Sequence, residues 1–77
     1  MIVDSAKFRD CVMRALKLRA DEYRPDLRIG DVDQWDSVAH LELMSEVERE
    51  FGVRFDLDQM TTFTSLRELM NWLERAK

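Results

Sequence analysis

A chain of 77 residues with 45% hydrophobic and 36% charged residues, two Gly and one Pro is typical of one small helix-rich domain. This size excludes a two-domain enzyme with a deep cleft, and a single cysteine excludes a disulfide framework or a multi-cysteine zinc site. The net charge of −4 is concentrated in residues 30–60, which hold nine Asp or Glu against two Lys or Arg, and such a block disfavours nucleic acid binding.

The first helix is predicted to begin at Asp4 or Ser5, since both are good N-caps. Pro25 biases the preceding residue to an extended conformation, so the helix should stop near residues 20–23. Residues 24–35 are then predicted to form a long connecting loop. Helical spacing groups one apolar stripe, in which the lone thiol is a core residue: Phe8, Cys11, Val12, Ala15 and Leu16.

The second helix is predicted over residues 37–51 and should end at Gly52. Steps of 100° gather a core-facing arc of Leu41, Leu43, Met44, Val47 and Phe51. Val38 falls on the polar side and is free to touch a partner. His40 projects toward the core arc, where a lone histidine is usually packed and hydrogen-bonded, and Trp35 is expected to cover the top of the bundle.

Two further helices are predicted after this one. Asp56 is expected to cap a brief helical turn, and Ser65 followed by Glu68 is a capping-box pattern that opens the last helix. The sequence therefore predicts an all-α fold. We expect a small antiparallel bundle of three main helices and one short helix, with a long loop between the first two.

Neither a metal site nor a catalytic group is indicated. Acidic and hydroxyl residues fit positions 1, 3, 7 and 12 of a calcium loop: Asp31, Asp33, Ser37 and Glu42. Trp35 at position 5 and Asp36 at position 6, where glycine is needed, disfavour calcium binding. Because His40 has no second His or Cys nearby, a nucleophile–base pair is not expected and the chain is predicted not to be an enzyme.

One segment carries a resemblance to a known family. The tripeptide Asp36-Ser37-Val38 is followed by Leu41-Glu42-Leu43 and then by Glu48-Arg49-Glu50-Phe51-Gly52. This pattern resembles the acyl carrier protein family, in which an Asp-Ser-Leu tripeptide opens the second helix and its serine carries 4′-phosphopantetheine. The resemblance covers essentially the whole chain in length and helix order. Residues 35–41 look more like free-standing or modular carriers of specialised pathways than like housekeeping fatty-acid carriers.

The resemblance implies a role for each residue of this segment. Ser37 would carry covalent 4′-phosphopantetheine donated by coenzyme A, and Asp36 would belong to what the phosphopantetheinyl transferase recognises. Val38 would be an apolar anchor, while Glu42 and Glu48 would meet basic docking patches on acyl-loading and acyl-transferring enzymes. The protein would then be a monomeric carrier that holds an acyl or aminoacyl group as a thioester for fatty acid, polyketide or related biosynthesis.

The residues themselves leave alternatives open. A serine at a helix N-terminus offers an exposed hydroxyl beside unpaired backbone N–H groups, but it is also an ordinary N-cap, as Asp36 would be. The acidic block favours a basic partner or is simply a solvated helix face. The alternative function is an unmodified acidic protein–protein interaction domain with a carrier-like bundle.

Apolar runs of at most three residues exclude a transmembrane helix, and residues 1–4 lack the layout of a signal peptide. We therefore expect residues 1–77 to form one domain, located in the cytoplasm and not bound to membranes.

Overall fold

The computed structural model describes residues 3–76 and contains four helices in this range: α1 (Ser5–Leu16), α2 (Ser37–Phe51), α3 (Leu57–Thr62) and α4 (Leu66–Ala76). No β-strand occurs among these residues, although an isolated antiparallel bridge joins Arg28 and Ser65. The predicted all-α fold of three main helices and one short helix is confirmed. The chain ends predicted for the domain, Met1 and Lys77, lie outside the described residues. None of the described helices combines the length and the apolar character needed to cross a membrane.

Helix α1 has a clear cap at each end. The carboxylate of Asp4 accepts hydrogen bonds from first-turn amides of the helix. After the last helical residue, Lys17 adopts a left-handed conformation with φ 56°, and the Leu18 amide bonds back to a carbonyl of the last turn. The predicted end near residues 20–23 is therefore wrong. The helix ends at Leu16, because the left-handed turn brings the Leu18 side chain into the core.

Helix α2 has the predicted bounds. The Asp36 carboxylate accepts a hydrogen bond from the Ala39 amide at 2.8 Å, and Gly52 ends the helix in a left-handed conformation with φ 65°. Its buried residues are His40, Leu43, Met44, Val47 and Phe51. The prediction that Leu41 faces the core is wrong, since its side chain is 53% exposed. At 100° per residue Leu41 lies roughly 60° beyond Met44, outside the arc that the buried residues occupy.

Side-chain caps start the two C-terminal helices, as predicted. The Asp56 carboxylate accepts the Gln59 amide at 2.8 Å, and the Gln59 side-chain carbonyl accepts the Asp56 amide at 3.0 Å. The Ser65 hydroxyl accepts the Glu68 amide at 3.2 Å and donates to the Glu68 carboxylate at 3.0 Å. Each pair fixes the residue at which its helix begins, so these starts follow from local sequence.

One apolar core joins the helices. Helices α1 and α2 pack antiparallel, since Phe8 near the start of α1 meets Phe51 at the end of α2 with ring centroids 6.3 Å apart. The connection between them, residues 17–36, contributes the buried side chain of Leu27. The Leu27 carbonyl also accepts the amide of Leu66 at the start of α4, at 3.0 Å. The connection is therefore fastened to the bundle near its middle.

Candidate functional site

Ser37 is the first residue of α2, and it is exposed. The helix is capped by the preceding Asp36, so the serine hydroxyl is not needed as a cap. Within residues 3–76, neither this hydroxyl nor the amides of Ser37 and Val38 have a hydrogen-bond partner. The structure therefore combines an accessible hydroxyl with open backbone donors at one helix end.

The electrostatics of this helix end favour an anion. Helix α2 has 15 residues, and its peptide dipoles leave partial positive charge at the N-terminus. A phosphodiester on the Ser37 hydroxyl would place its negative charge in this field, beside the open amides of the first turn. The residues present thus fit a phosphate ester attached at Ser37.

Two buried aromatic side chains flank the serine in sequence. The indole Nε1 of Trp35 donates to Nδ1 of His40 at 3.1 Å, and the two rings stack with centroids 6.0 Å apart. The imidazole Nε2 lies 2.6 Å from the carbonyl oxygen of Met60 in α3. The prediction that His40 and Trp35 are packed residues is confirmed, with 7% and 2% exposure. Their pairing was not predicted.

The exposed apolar residues of α2 lie close to the serine. Val38 is 67% exposed, which confirms the prediction that it stays out of the core. The exposed Leu41 follows three residues later and therefore lies on the same helix face. The sequence analysis did not identify Leu41 as a surface residue. Its spacing of three residues from Val38 indicates that the two share a helix face.

The acidic face of α2 is partly neutralised by α1. One nitrogen of Arg14 lies 3.2 Å from the Glu46 carboxylate and 3.1 Å from the Glu50 carboxylate. The hydrogen bond to Glu46, and after it the nearby charge of Glu50, raises the pKa of Arg14 above its ordinary value. Arg49 pairs with Glu46 as well, at 3.0 Å. The charges of the two glutamates are therefore partly offset within the protein itself.

The two glutamates predicted to touch partners differ in their surroundings. Glu42 is exposed and, among the described residues, takes part in no ion pair. Glu48 is half-buried, and its carboxylate accepts the backbone amide of Phe55 at 2.8 Å. The bond fastens the segment after α2 to the helix, which gives Glu48 a structural role that the sequence did not indicate.

Two carboxylates of the segment that resembles a calcium loop bind backbone amides instead. The Asp31 carboxylate accepts the amide of Arg28 at 2.9 Å, and the Asp36 carboxylate caps α2. In the part of the chain that the structure describes, no group of three or more His, Cys, Asp or Glu side chains is arranged to hold a metal ion. Asp31 and Asp36 thus stabilise the local backbone.

A small helical bundle with a free serine hydroxyl at the start of its second helix has the form of a carrier domain for a covalently attached group. A comparison with protein families matches residues 6–73 to the family described as "Phosphopantetheine attachment site". The chain belongs to this family, whose members attach 4′-phosphopantetheine covalently. The resemblance to carrier proteins found in the sequence is confirmed. A comparison with curated proteins gives no match.

Proposed function

We propose that Ser37 is the attachment residue, and that the protein carries an acyl or aminoacyl group on a 4′-phosphopantetheine arm. The main support for this proposal is the Ser37 hydroxyl, which is exposed and unpaired at the start of a helix that Asp36 already caps. Family membership supports the arm itself. The other exposed serine of α2, Ser45, lies inside the helix, away from its N-terminal amides.

Attachment is a phosphoryl-type transfer from coenzyme A. The Ser37 oxygen forms a bond to the phosphorus next to pantetheine, and the pyrophosphate P–O bond of coenzyme A breaks. Adenosine 3′,5′-bisphosphate leaves, and the hydroxyl proton passes to a base of the phosphopantetheinyl transferase. In this transfer the chain supplies the nucleophilic hydroxyl and a positive helix end that favours the phosphodiester product. Asp36 holds the backbone of the site and presents a carboxylate to the transferase.

The bound arm supplies a terminal thiol that holds the cargo as a thioester. Carrier domains of this family do not catalyse, so we assign the chemistry to partner enzymes of fatty acid, polyketide or related biosynthesis. Val38 and Glu42, both exposed in the N-terminal half of α2, suit a partner with an apolar contact point and a basic patch. Glu48 adds negative charge to this surface while it holds the Phe55 amide. Such contacts steer encounter more than they add affinity, which suits a carrier that must leave each partner.

The proposal is tested by the mass of the intact protein after incubation with coenzyme A, magnesium and a broad-specificity phosphopantetheinyl transferase. Wild type should gain one phosphopantetheine and Ser37→Ala none. Because Asp36 retains the cap, Ser37→Ala should change the free energy of unfolding by no more than about 0.5 kcal/mol.

Ser45→Ala is the matched control, since it removes an exposed hydroxyl from the same helix. It should gain the group like the wild type. A gain in Ser37→Ala would place the attachment elsewhere and contradict the proposed site. No gain in folded wild type would favour the unmodified acidic interaction domain.

A further inference from the structure

Three segments of the chain meet at the imidazole of His40. The ring lies in the first turns of α2, receives the Trp35 indole from the preceding connection, and contacts the Met60 carbonyl of α3. Helix α3 has no fully buried residue of its own. The bond to His40 therefore adds to the packing of the half-buried Met60 in holding α3 against the bundle.

The geometry fixes the protonation pattern of the ring. A carbonyl oxygen only accepts hydrogen bonds, so Nε2 of His40 must donate its hydrogen to Met60. An indole N–H only donates, so Nδ1 must be the unprotonated acceptor for Trp35. The neutral imidazole with hydrogen on Nε2 is the one form that makes both bonds at once.

We infer that His40 is a positioning residue for the modification of Ser37, an inference that rests on the proposed function. Trp35 is two residues before the serine and His40 is three residues after it. The bond between them therefore links the two ends of the short segment that contains Ser37 and its Asp36 cap. The bond from His40 to Met60 links the same segment to α3. The transferase then meets a serine whose backbone is already ordered, and binding does not have to supply that order.

Two substitutions separate the two bonds. His40→Gln places an amide NH₂ near the position of Nε2, so it keeps a donor for Met60 and loses the acceptor for Trp35. His40→Asn places a carbonyl near the position of Nδ1, so it keeps the acceptor for Trp35 and loses the donor for Met60. Trp35→Phe removes the indole donor but keeps an aromatic ring. Val47→Ala is the matched control, because it removes a fully buried side chain from the same helix without touching the site.

The experiment measures KM and kcat of the transferase for each folded carrier variant at saturating coenzyme A. His40→Gln, His40→Asn and Trp35→Phe should each raise KM about fivefold to tenfold, the size expected for one hydrogen bond, with kcat nearly unchanged. In the Trp35→Phe background, His40→Gln should add no further rise, because the bond that it breaks is already absent. Val47→Ala should keep the wild-type KM although it lowers stability.

Wild-type KM in the His40 variants, or an equal rise in Val47→Ala, would overturn the inference while leaving the proposed function intact. Failure of the wild type to be modified would overturn both. Nitrogen-15 NMR of the unmodified wild type tests the geometry even if a variant fails to fold. It should find hydrogen on Nε2 of His40 and none on Nδ1, and hydrogen on Nδ1 would refute the inference.

Discussion

At the scale of single residues, the two thiols of the modified protein are expected to behave very differently. Cys11 is 1% exposed, and burial raises the pKa of its thiol to about 11, although the charge of Arg14 offsets part of this effect. Only the thiolate is a strong nucleophile, so at neutral pH Cys11 is both covered and protonated. The thiol of an arm on Ser37 would instead extend from an exposed residue.

This difference predicts the result of a thiol count with an aromatic disulfide reagent at neutral pH. Folded, unmodified protein should show no fast-reacting thiol, and modified protein should show one. Addition of denaturant should expose one more in each case. Cys11→Ala serves as the control, because after modification it should still show one fast thiol. A fast thiol in folded, unmodified Ser37→Ala would mean that Cys11 is not sealed in the core.

At the scale of the helix, α2 divides its leucines between the core and the surface. Leu43 is fully buried, whereas Leu41 is exposed two residues earlier. The prediction that Leu41 faces the core was wrong because it allowed too wide an apolar arc. The observed arc contains His40, as predicted, but ends at Met44 and leaves Leu41 outside.

The two leucines therefore form a matched pair for mutation. Leu43→Ala should lower the free energy of unfolding by about 2–5 kcal/mol, since it leaves a cavity in the core. Leu41→Ala should change it by no more than about 0.5 kcal/mol, because the side chain is already largely in water. Urea denaturation followed by circular dichroism measures both. Equal losses would contradict the observed orientation of α2.

At the scale of the whole molecule, the sequence predicted the helix ends that are determined by neighbouring residues. The start of α2, α3 and α4 each follows from a side chain that caps the helix within three residues. The end of α1 was missed because it occurs at Lys17, a non-glycine residue in a left-handed conformation. The next residue, Leu18, is buried, and its burial depends on the assembled core and not on adjacent residues.

In the candidate site, too, the local features were predictable from the sequence and the long-range contacts were not. Ser37 and its Asp36 cap were predictable, because both lie in one short pattern at a helix start. The bond from His40 to Met60 joins residues 20 apart in sequence, and the pair of Arg14 with Glu46 joins residues 32 apart. No periodicity specifies such partners, so they became visible only when the helices were placed together.

The long connection offers a last prediction about the assembled molecule. Glu22 near its start accepts the amide of Arg19 at 2.9 Å, and both its oxygens accept the side-chain amide of Gln34 near its end at 3.0 Å. The bond from Arg19, then that from Gln34, lowers the pKa of Glu22 below its ordinary value of about 4.5. The charged carboxylate therefore holds the two ends of the connection together, just ahead of Ser37.

The sign of the pH dependence follows from this lowered pKa. The contribution of Glu22 to stability is present above its unfolded value of about 4.5 and is lost as the pH falls through the lower value of the folded state. Glu22→Gln should therefore be less stable than wild type at pH 7, and the difference should shrink as the solution is acidified below about 4.5. Chemical denaturation at several pH values measures this difference. Glu74→Gln, which removes one charge from an exposed position of α4, controls for net charge. A gap between wild type and Glu22→Gln that stays constant across the acid range would mean that the carboxylate's charge does not fasten the connection.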